Sequence, residues 1–235
     1  MISKIRRPIY SFFSIAALSV ALSGCIIHVN AKDADWESDW DSKEKHSESY
    51  SGDIQSTNKS VKVTEGRDVQ NVSSVNGSVK IQDGVSARKV SSVNGKVSVG
   101  DNVSVSSLES VNGQIKVGDN FSSSGNVGTV NGGIRIEEDS TVGGDIRTVN
   151  GTIRLQGVSV AKGVTSKNGS IKLENGTVVS GDIHFEEIRN NRYKQKNPSL
   201  YISADSKVEG NIILDREVNL ELENPAMLER VKRNY

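Results

Sequence analysis

The sequence predicts an all-β fold, a single-stranded parallel β-helix with about 18 residues in each coil. Three observations carry this prediction. An Asn-Gly step recurs at a nearly constant interval, apolar residues keep fixed positions relative to it, and no proline lies between residues 9 and 197. A fixed period of this length is typical of solenoids, in which each repeat is one structural unit stacked on the next.

The Asn-Gly step marks each copy of the repeat, at intervals of 18, 18, 19, 19 and 18 residues. Asn58 lies another 18 residues upstream and marks a degenerate first copy. Two structural interpretations are open: the step forms a tight corner because both residues tolerate left-handed backbone, or stacked Asn side chains form a hydrogen-bonded ladder. We favour these over a ligand site. The steps are Asn76-Gly77, Asn94-Gly95, Asn112-Gly113, Asn131-Gly132, Asn150-Gly151 and Asn168-Gly169.

The apolar residues of the repeat predict three short strands per coil. With each Asn as position 0, they recur at −4, −1, +3, +5, +9 and +11, as in Val72, Val75, Val79, Ile81, Val85 and Ala87. Pairs two residues apart are strand alternation, and Gly, Asn, Asp and Ser fill the turns between them. We therefore expect coils of roughly triangular section around a dry Val/Ile core. The period leaves handedness undecided, and the uneven pairing favours a right-handed coil.

Proline supplies an independent indication of the ladder. Only Pro8, Pro198 and Pro225 are present, and a continuous parallel ladder needs the backbone N–H that proline lacks. The repeat domain is predicted to span residues 53–185, and seven copies stacked at about 4.8 Å give a rod of roughly 34 Å.

The C-terminal part departs from the repeat. Residues 186–198 are predicted to form a charged loop that leaves the rod. Alternating apolar residues return after it, so residues 199–235 are expected to form the final coils and a C-terminal cap. Within the cap, Met227 to Val231 are expected to cover the open end, because a bare terminal coil is a sticky edge.

The N-terminal residues have the order of a secretory signal peptide. Residues 1–8 are basic and residues 9–22 are apolar, a run of about 14 residues that is short for a transmembrane span. The run ends in Leu22-Ser23-Gly24-Cys25, which resembles the lipobox of bacterial lipoproteins. That resemblance implies removal of residues 1–24 and lipid on Cys25, which would anchor the chain to a membrane. Since Ile26 rather than Asp follows the cysteine, the resemblance implies an outer-membrane location.

Residues 25–52 are polar and acidic, and they are predicted to form a flexible tether, because too little apolar area is present to offset the entropy of ordering. Trp36 and Trp40 stand out within it. They are expected to dock on the folded domain, to rest at lipid headgroups, or to be exposed, and the sequence leaves these alternatives open.

No catalytic or metal-binding set is indicated by the sequence. His28, His46 and His184 lack ligand-like spacing, and the glycines follow the repeat rather than a phosphate-binding loop. The single cysteine excludes an intrachain disulfide. The net charge of zero gives no reason to expect a nucleic-acid partner. We expect a non-enzymatic protein without a cofactor.

Two columns of charge are predicted on the outside of the rod. Position +7 is acidic in Glu65, Asp83, Asp101, Asp119 and Glu138. Alternating charge of this kind favours solubility and discourages sideways pairing of strands, which is the interpretation we favour. The alternative is a binding stripe for an anionic polymer. The basic column at +4 contains Lys62, Lys80, Lys116, Arg135, Arg154 and Lys172, with Ser98 in one coil.

The repeated Ser-Val-Asn-Gly-x-Val/Ile-Lys-Val core resembles the coils of bacterial adhesin-head-like β-helix domains and, more distantly, the polymer-forming bactofilins. The resemblance covers residues 54–185 and extends at most to 222, and it implies architecture rather than an active site. Three functions are weighed: an envelope structural or interaction module, a scaffold that self-assembles end to end, and a carbohydrate-active enzyme. We favour the module, binding a polysaccharide or protein, and leave the oligomeric state open.

Overall fold

The computed structural model describes residues 52–187 and 196–235. The predicted signal peptide, Cys25 and all but one residue of the predicted tether lie outside the described residues, as does most of the predicted loop at 186–198. The all-β prediction is confirmed, since the described chain is a parallel β-solenoid of about ten turns with coils of about 18 residues. Within these ranges no helix is long and apolar enough to cross a membrane.

Each coil contributes strands to three faces, which we name by their place in the coil. The first face precedes the Asn-Gly corner, and its strands are Ile54–Ser56, Asp68–Ser74, Ser86–Ser92, Ser104–Ser110, Val127–Asn131, Ile146–Asn150, Val164–Ser166, Ile183–Phe185, Ile212–Leu214 and Val231–Arg233. The second face follows the corner, and its strands are Val61–Val63, Val79–Ile81, Val97–Val99, Ile115–Val117, Ile134–Ile136, Ile153–Gln156, Ile171–Glu174, Ser199–Ile202 and Asn219–Leu222.

The third face completes the coil. In the early coils it is the first part of the long strands that begin at Asp68, Ser86 and Ser104, and its later strands are Ser122–Ser123, Ser140–Val142, Val158–Val160, Val178–Val179 and Lys207–Val208. Because those long strands run without a break from the third face into the first, these two faces form one 15-stranded sheet, while the second face forms a separate 9-stranded sheet.

Equivalent residues of neighbouring coils pair in parallel. Val79 pairs with Val97, and Ile134 pairs with Ile153. The step widens at only one place among the described strands of the second face, where Ile171 pairs with Leu200. The additional residues leave the rod between these two coils, and the pairing resumes on the same columns.

The core consists of stacked Val, Ile and Leu side chains, but one predicted column is wrong. The valines at position −1 face outward, and Val111 has 37% of its surface exposed. The residues at position −2 are buried instead, because alternation from the buried −4 residue turns −2 inward and −1 outward. This inward column contains Ser74, Ser92, Ser110, Thr129, Thr148 and Ser166. The core is therefore not purely apolar.

The inward hydroxyls are satisfied by the backbone of the coil before. Ser92 donates to the carbonyl of Gly77 over 3.1 Å, and Thr129 donates to that of Gly113 over 3.0 Å. A buried hydroxyl without a partner would be costly. The column thus joins successive coils from inside the rod.

The Asn-Gly corner does not use left-handed backbone, contrary to one of the two interpretations above. Of the residues in these steps only Gly151 has a positive φ, of 155°. Left-handed residues lie instead at position +8, the corner between the second and third faces, as in Gly84, Asn102 and Asn120. Glycine is needed at the Asn-Gly corner for a different reason: a Cβ on Gly113 would lie 2.0 Å from the carbonyl oxygen of Gly95.

The C-terminal end is covered by a short 3-10 helix, Pro225–Arg230, whose Met227 is buried. Arg230 donates to the backbone carbonyls of Glu209 and Gly210 in the last strand region of the third face. Val231 does not continue this cover as expected. It begins a strand that pairs with Ile212–Leu214, because its apolar side chain fits the column of the first face.

The close approach at the corner predicts that Gly113→Ala will destabilise the rod by about 2 kcal/mol or more, since the added methyl group must displace backbone. Gly128→Ala is the matched control, because its Cβ would meet only the Arg147 carbonyl at an ordinary 3.6 Å. Urea unfolding midpoints measure both variants. Equal stability of the two would contradict the packing described here.

The inward hydroxyls predict that Ser92→Ala will lower the free energy of unfolding by about 1 kcal/mol, because the Gly77 carbonyl loses a buried donor. Ser91→Ala, the neighbouring outward serine of the same strand, should change it by less than about 0.5 kcal/mol. The same urea titration tests the pair, and a larger loss in Ser91→Ala than in Ser92→Ala would refute the inward assignment.

Candidate functional site

The Asn side chains form a continuous ladder along one edge of the rod. Each Nδ2 donates to the Oδ1 of the Asn one coil earlier, over 2.6 to 3.1 Å, from Asn76 onto Asn58 through to Asn168 onto Asn150. Stacked amides of this kind polarise one another. The structure thus gives these residues a role in holding coils together, as the second sequence interpretation proposed.

The ladder ends at Asn168, whose Oδ1 is buried and has no hydrogen-bond partner within the described residues. A polar cleft of about 400 Å³ lies beside it, lined among others by Ser170, Asn197 and Glu221. Asn197 stands one coil further along, but its amide donates to Glu217 instead of continuing the ladder. The interruption falls where residues 188–195 leave the rod.

The acidic column at position +7 has a structural role in three successive coils. The carboxylate of Asp83 accepts the backbone N–H of Asp101 over 3.0 Å, Asp101 accepts that of Asp119, and Asp119 accepts that of Glu138. These carboxylates satisfy backbone donors at the corner between the second and third faces. The charge nevertheless remains at the surface, because all four residues are exposed.

The predicted basic column lies on the second face in one register. Lys62 pairs with Lys80, Lys80 with Ser98 and Ser98 with Lys116 in the backbone ladder. The column continues through Arg135, Arg154 and Lys172. The structure divides this column into two halves with different surroundings.

The C-terminal half is neutralised by acidic residues of the same face. Arg135 contacts Glu137 over 2.5 Å, while Arg154 and Lys172 both reach Glu174, over 2.8 and 2.7 Å. The hydrogen bond from Arg154 outweighs partial burial and, with Lys172, holds the pKa of Glu174 below its ordinary value of 4.5. These cations are already paired.

The column ends in an aromatic residue, since Lys172 also lies 4.8 Å above the ring of Tyr201. The Tyr201 hydroxyl donates to Glu223 over 2.7 Å, and this hydrogen bond raises the pKa of Tyr201 to about 12. The hydroxyl therefore stays protonated, and the last coils of the second face add no positive charge.

The N-terminal half has no such partners. The side chains of Lys62, Lys80 and Lys116 are exposed and make no ion pair or hydrogen bond with any other described residue. Lys96 belongs to the same surface, although the sequence analysis omitted it. It stands at position +2, which shares the outward side with +4, so it occupies the coil in which Ser98 interrupts the column. Strand alternation around the buried Val97 could have revealed it.

Elsewhere, His184 and Asp215 form a pair with 2.6 Å between Nε2 and Oδ2, and Asn234 donates to the other oxygen of Asp215 over 2.7 Å. Burial alone would raise the pKa of Asp215, but these two hydrogen bonds and the charge of His184 hold it below its ordinary value. The pair ties the final strand to the rod. Within residues 52–187 and 196–235 no group of three His, Cys, Asp or Glu residues is arranged to hold a metal ion.

Comparison of the chain with protein-family models, curated proteins and solved structures found no match. The roles of these residues are therefore argued from their own geometry.

The ion pairs around Glu174 predict that Glu174→Gln will destabilise the rod by about 0.5 to 1 kcal/mol at pH 7. Because the folded pKa of Glu174 is lowered, this contribution is complete above pH 4.5 and is lost as the pH falls through the folded pKa. The difference between wild type and variant should therefore shrink in acid. Urea unfolding between pH 7 and pH 3 measures it.

Glu221→Gln is the matched control, because Glu221 lies on the same outward column in the last strand and makes no ion pair within the described chain. It should unfold like the wild type at every pH. A pH-independent loss in Glu174→Gln would contradict the electrostatic explanation.

Proposed function

We propose that the chain is a lipid-anchored interaction protein of the bacterial cell envelope. Lipid on Cys25 holds it at the outer membrane, and the β-helix presents its surface to a polysaccharide or protein partner. The observation that carries the proposal is the order of the N-terminal residues: a basic start, an apolar run of about 14 residues and Leu22-Ser23-Gly24-Cys25.

The form of the rod supports a role in binding rather than in assembly. Its parallel register turns each repeated residue into a column, so the exterior consists of long uniform stripes that suit an extended partner. The self-assembling scaffold is the second candidate, and it needs open coil ends for stacking. The 3-10 helix Pro225–Arg230 lies over one end and occupies the carbonyls of Glu209 and Gly210, which favours the anchored module.

The anchor predicts that native protein will carry a lipid-sized mass increment on a chain beginning at residue 25, and will fractionate with the outer membrane. Cys25→Ala should remain unprocessed and lack the increment, because the thiol is the site of attachment. Intact mass and membrane fractionation measure both properties.

Ser19→Ala is the matched control, since it lies in the apolar run and leaves the four-residue box unchanged. It should be processed and lipidated like the wild type. An unlipidated, soluble wild-type product would overturn the anchored role, and self-assembly would then become the leading function.

A further inference from the structure

The strongest unpaired charge on the described surface is a row of four lysines on the second face, Lys62, Lys80, Lys96 and Lys116. Each of the first four coils contributes one lysine, and all four are exposed. None has an ion-pair or hydrogen-bond partner among the described residues. At about 4.8 Å per coil, the row runs roughly 14 Å along the rod axis.

No acidic residue shares the outward side of this face in these coils. The other outward residues are uncharged, namely Ser60, Thr64, Ser78, Gln82, Ser98, Gly100, Gln114 and Gly118. Beyond the fourth coil the pattern changes, because Glu137 and Glu174 neutralise the cations and the last coil presents Glu221 and Glu223. Solubility alone does not require this asymmetry, since alternating charge would serve it equally well along the whole face.

We infer that the lysine row binds a linear anionic polymer, of the class of polysaccharides that carry a carboxylate on successive sugars. The inference rests on the proposed envelope function for the source of that polymer. A chain laid along the rod axis meets one ammonium group per coil. It also relieves the mutual repulsion of four like charges about 5 Å apart.

The acidic corner beside the row decides between a polymer and a membrane surface. Glu65, Asp83, Asp101 and Asp119 place one exposed carboxylate at the edge of the second face in each of the same four coils. A flat anionic membrane pressed on this face would meet these carboxylates as well as the lysines. A narrow chain that follows the row meets the lysines alone.

The residue type supports an irregular polymer over a single fixed anion. Lysine is a compact charge on a flexible stem and does not impose the planar two-point geometry of arginine. The arginines of this face, Arg135 and Arg154, are those that the structure fixes in contacts with carboxylates. The row is therefore suited to following charges whose spacing differs from that of the coils.

The test uses the chain from residue 25 onward with Cys25→Ala, so that binding does not depend on the lipid anchor. Polygalacturonate is the probe, dextran is the neutral polymer, and calorimetric titration in low salt gives the affinity. Wild type should bind polygalacturonate and not dextran, and added salt should weaken binding. Combined Lys62→Gln, Lys80→Gln, Lys96→Gln and Lys116→Gln should weaken it about 30-fold.

A control with the same change in net charge combines Lys162→Gln, Lys207→Gln, Lys232→Gln and Arg233→Gln, which are exposed and lie off the second face. It should stay within about threefold of the wild type. A gain-of-function variant guards against misfolding of the quadruple variant. Ser98→Lys adds a fifth lysine to the column and should strengthen binding about threefold.

Three results would overturn the inference. The first is no binding of polygalacturonate, and the second is equal loss in both quadruple variants, which would make the effect one of net charge. The third is tighter binding to phosphatidylglycerol vesicles than to the polymer, which would assign the row to a membrane surface. Since the chain used carries no lipid, none of these results bears on lipidation of Cys25, which mass and fractionation decide separately.

Discussion

The contact on which the rest of the rod depends is the close backbone approach at the Asn-Gly corner. There a Cβ on each glycine would lie 1.6 to 2.5 Å from backbone atoms of the coil before, so only hydrogen fits. This contact holds neighbouring coils at one height and one rotation. The same alignment brings the Asn amides within hydrogen-bonding distance of one another and the inward hydroxyls within reach of the corner carbonyls. A single steric requirement thus fixes the register for three sets of hydrogen bonds.

The other two corners reach the same result by different chemistry. Between the second and third faces, left-handed residues such as Asn102 turn the chain, and carboxylates such as Asp83 accept the backbone donors of the next coil. Between the third and first faces, Asn126 and Asp145 accept backbone N–H groups in the same way. Side-chain oxygens therefore satisfy backbone donors in the places where the chain turns out of the ladder.

The period and the +3/+5 strand could be predicted because both depend on local alternation, which a single sequence displays. The inward column was misassigned for a physical reason: Val111 is apolar yet faces water, while Ser110 is polar yet buried, and hydrophobicity alone selects the wrong one of the two. Carbonyls that need a donor inside the rod reverse the expectation, and they are visible only in three dimensions. The division of the basic column was hidden for a similar reason, since it depends on which carboxylate Arg154 and Lys172 share. Lys96 was within reach of the sequence, because the buried Val97 fixes its direction.

The wide step between Ile171 and Leu200 has a consequence for how such a chain can change over time. Pairing of both strands with their neighbours is unaffected by the residues that leave the rod between them, so a corner can accept a new segment without disturbing the columns on either side. An inserted segment then evolves under its own selection while the coils keep theirs. The rod is in this respect a chassis: new recognition loops can be gained at its corners, one at a time, and lost again without loss of the fold.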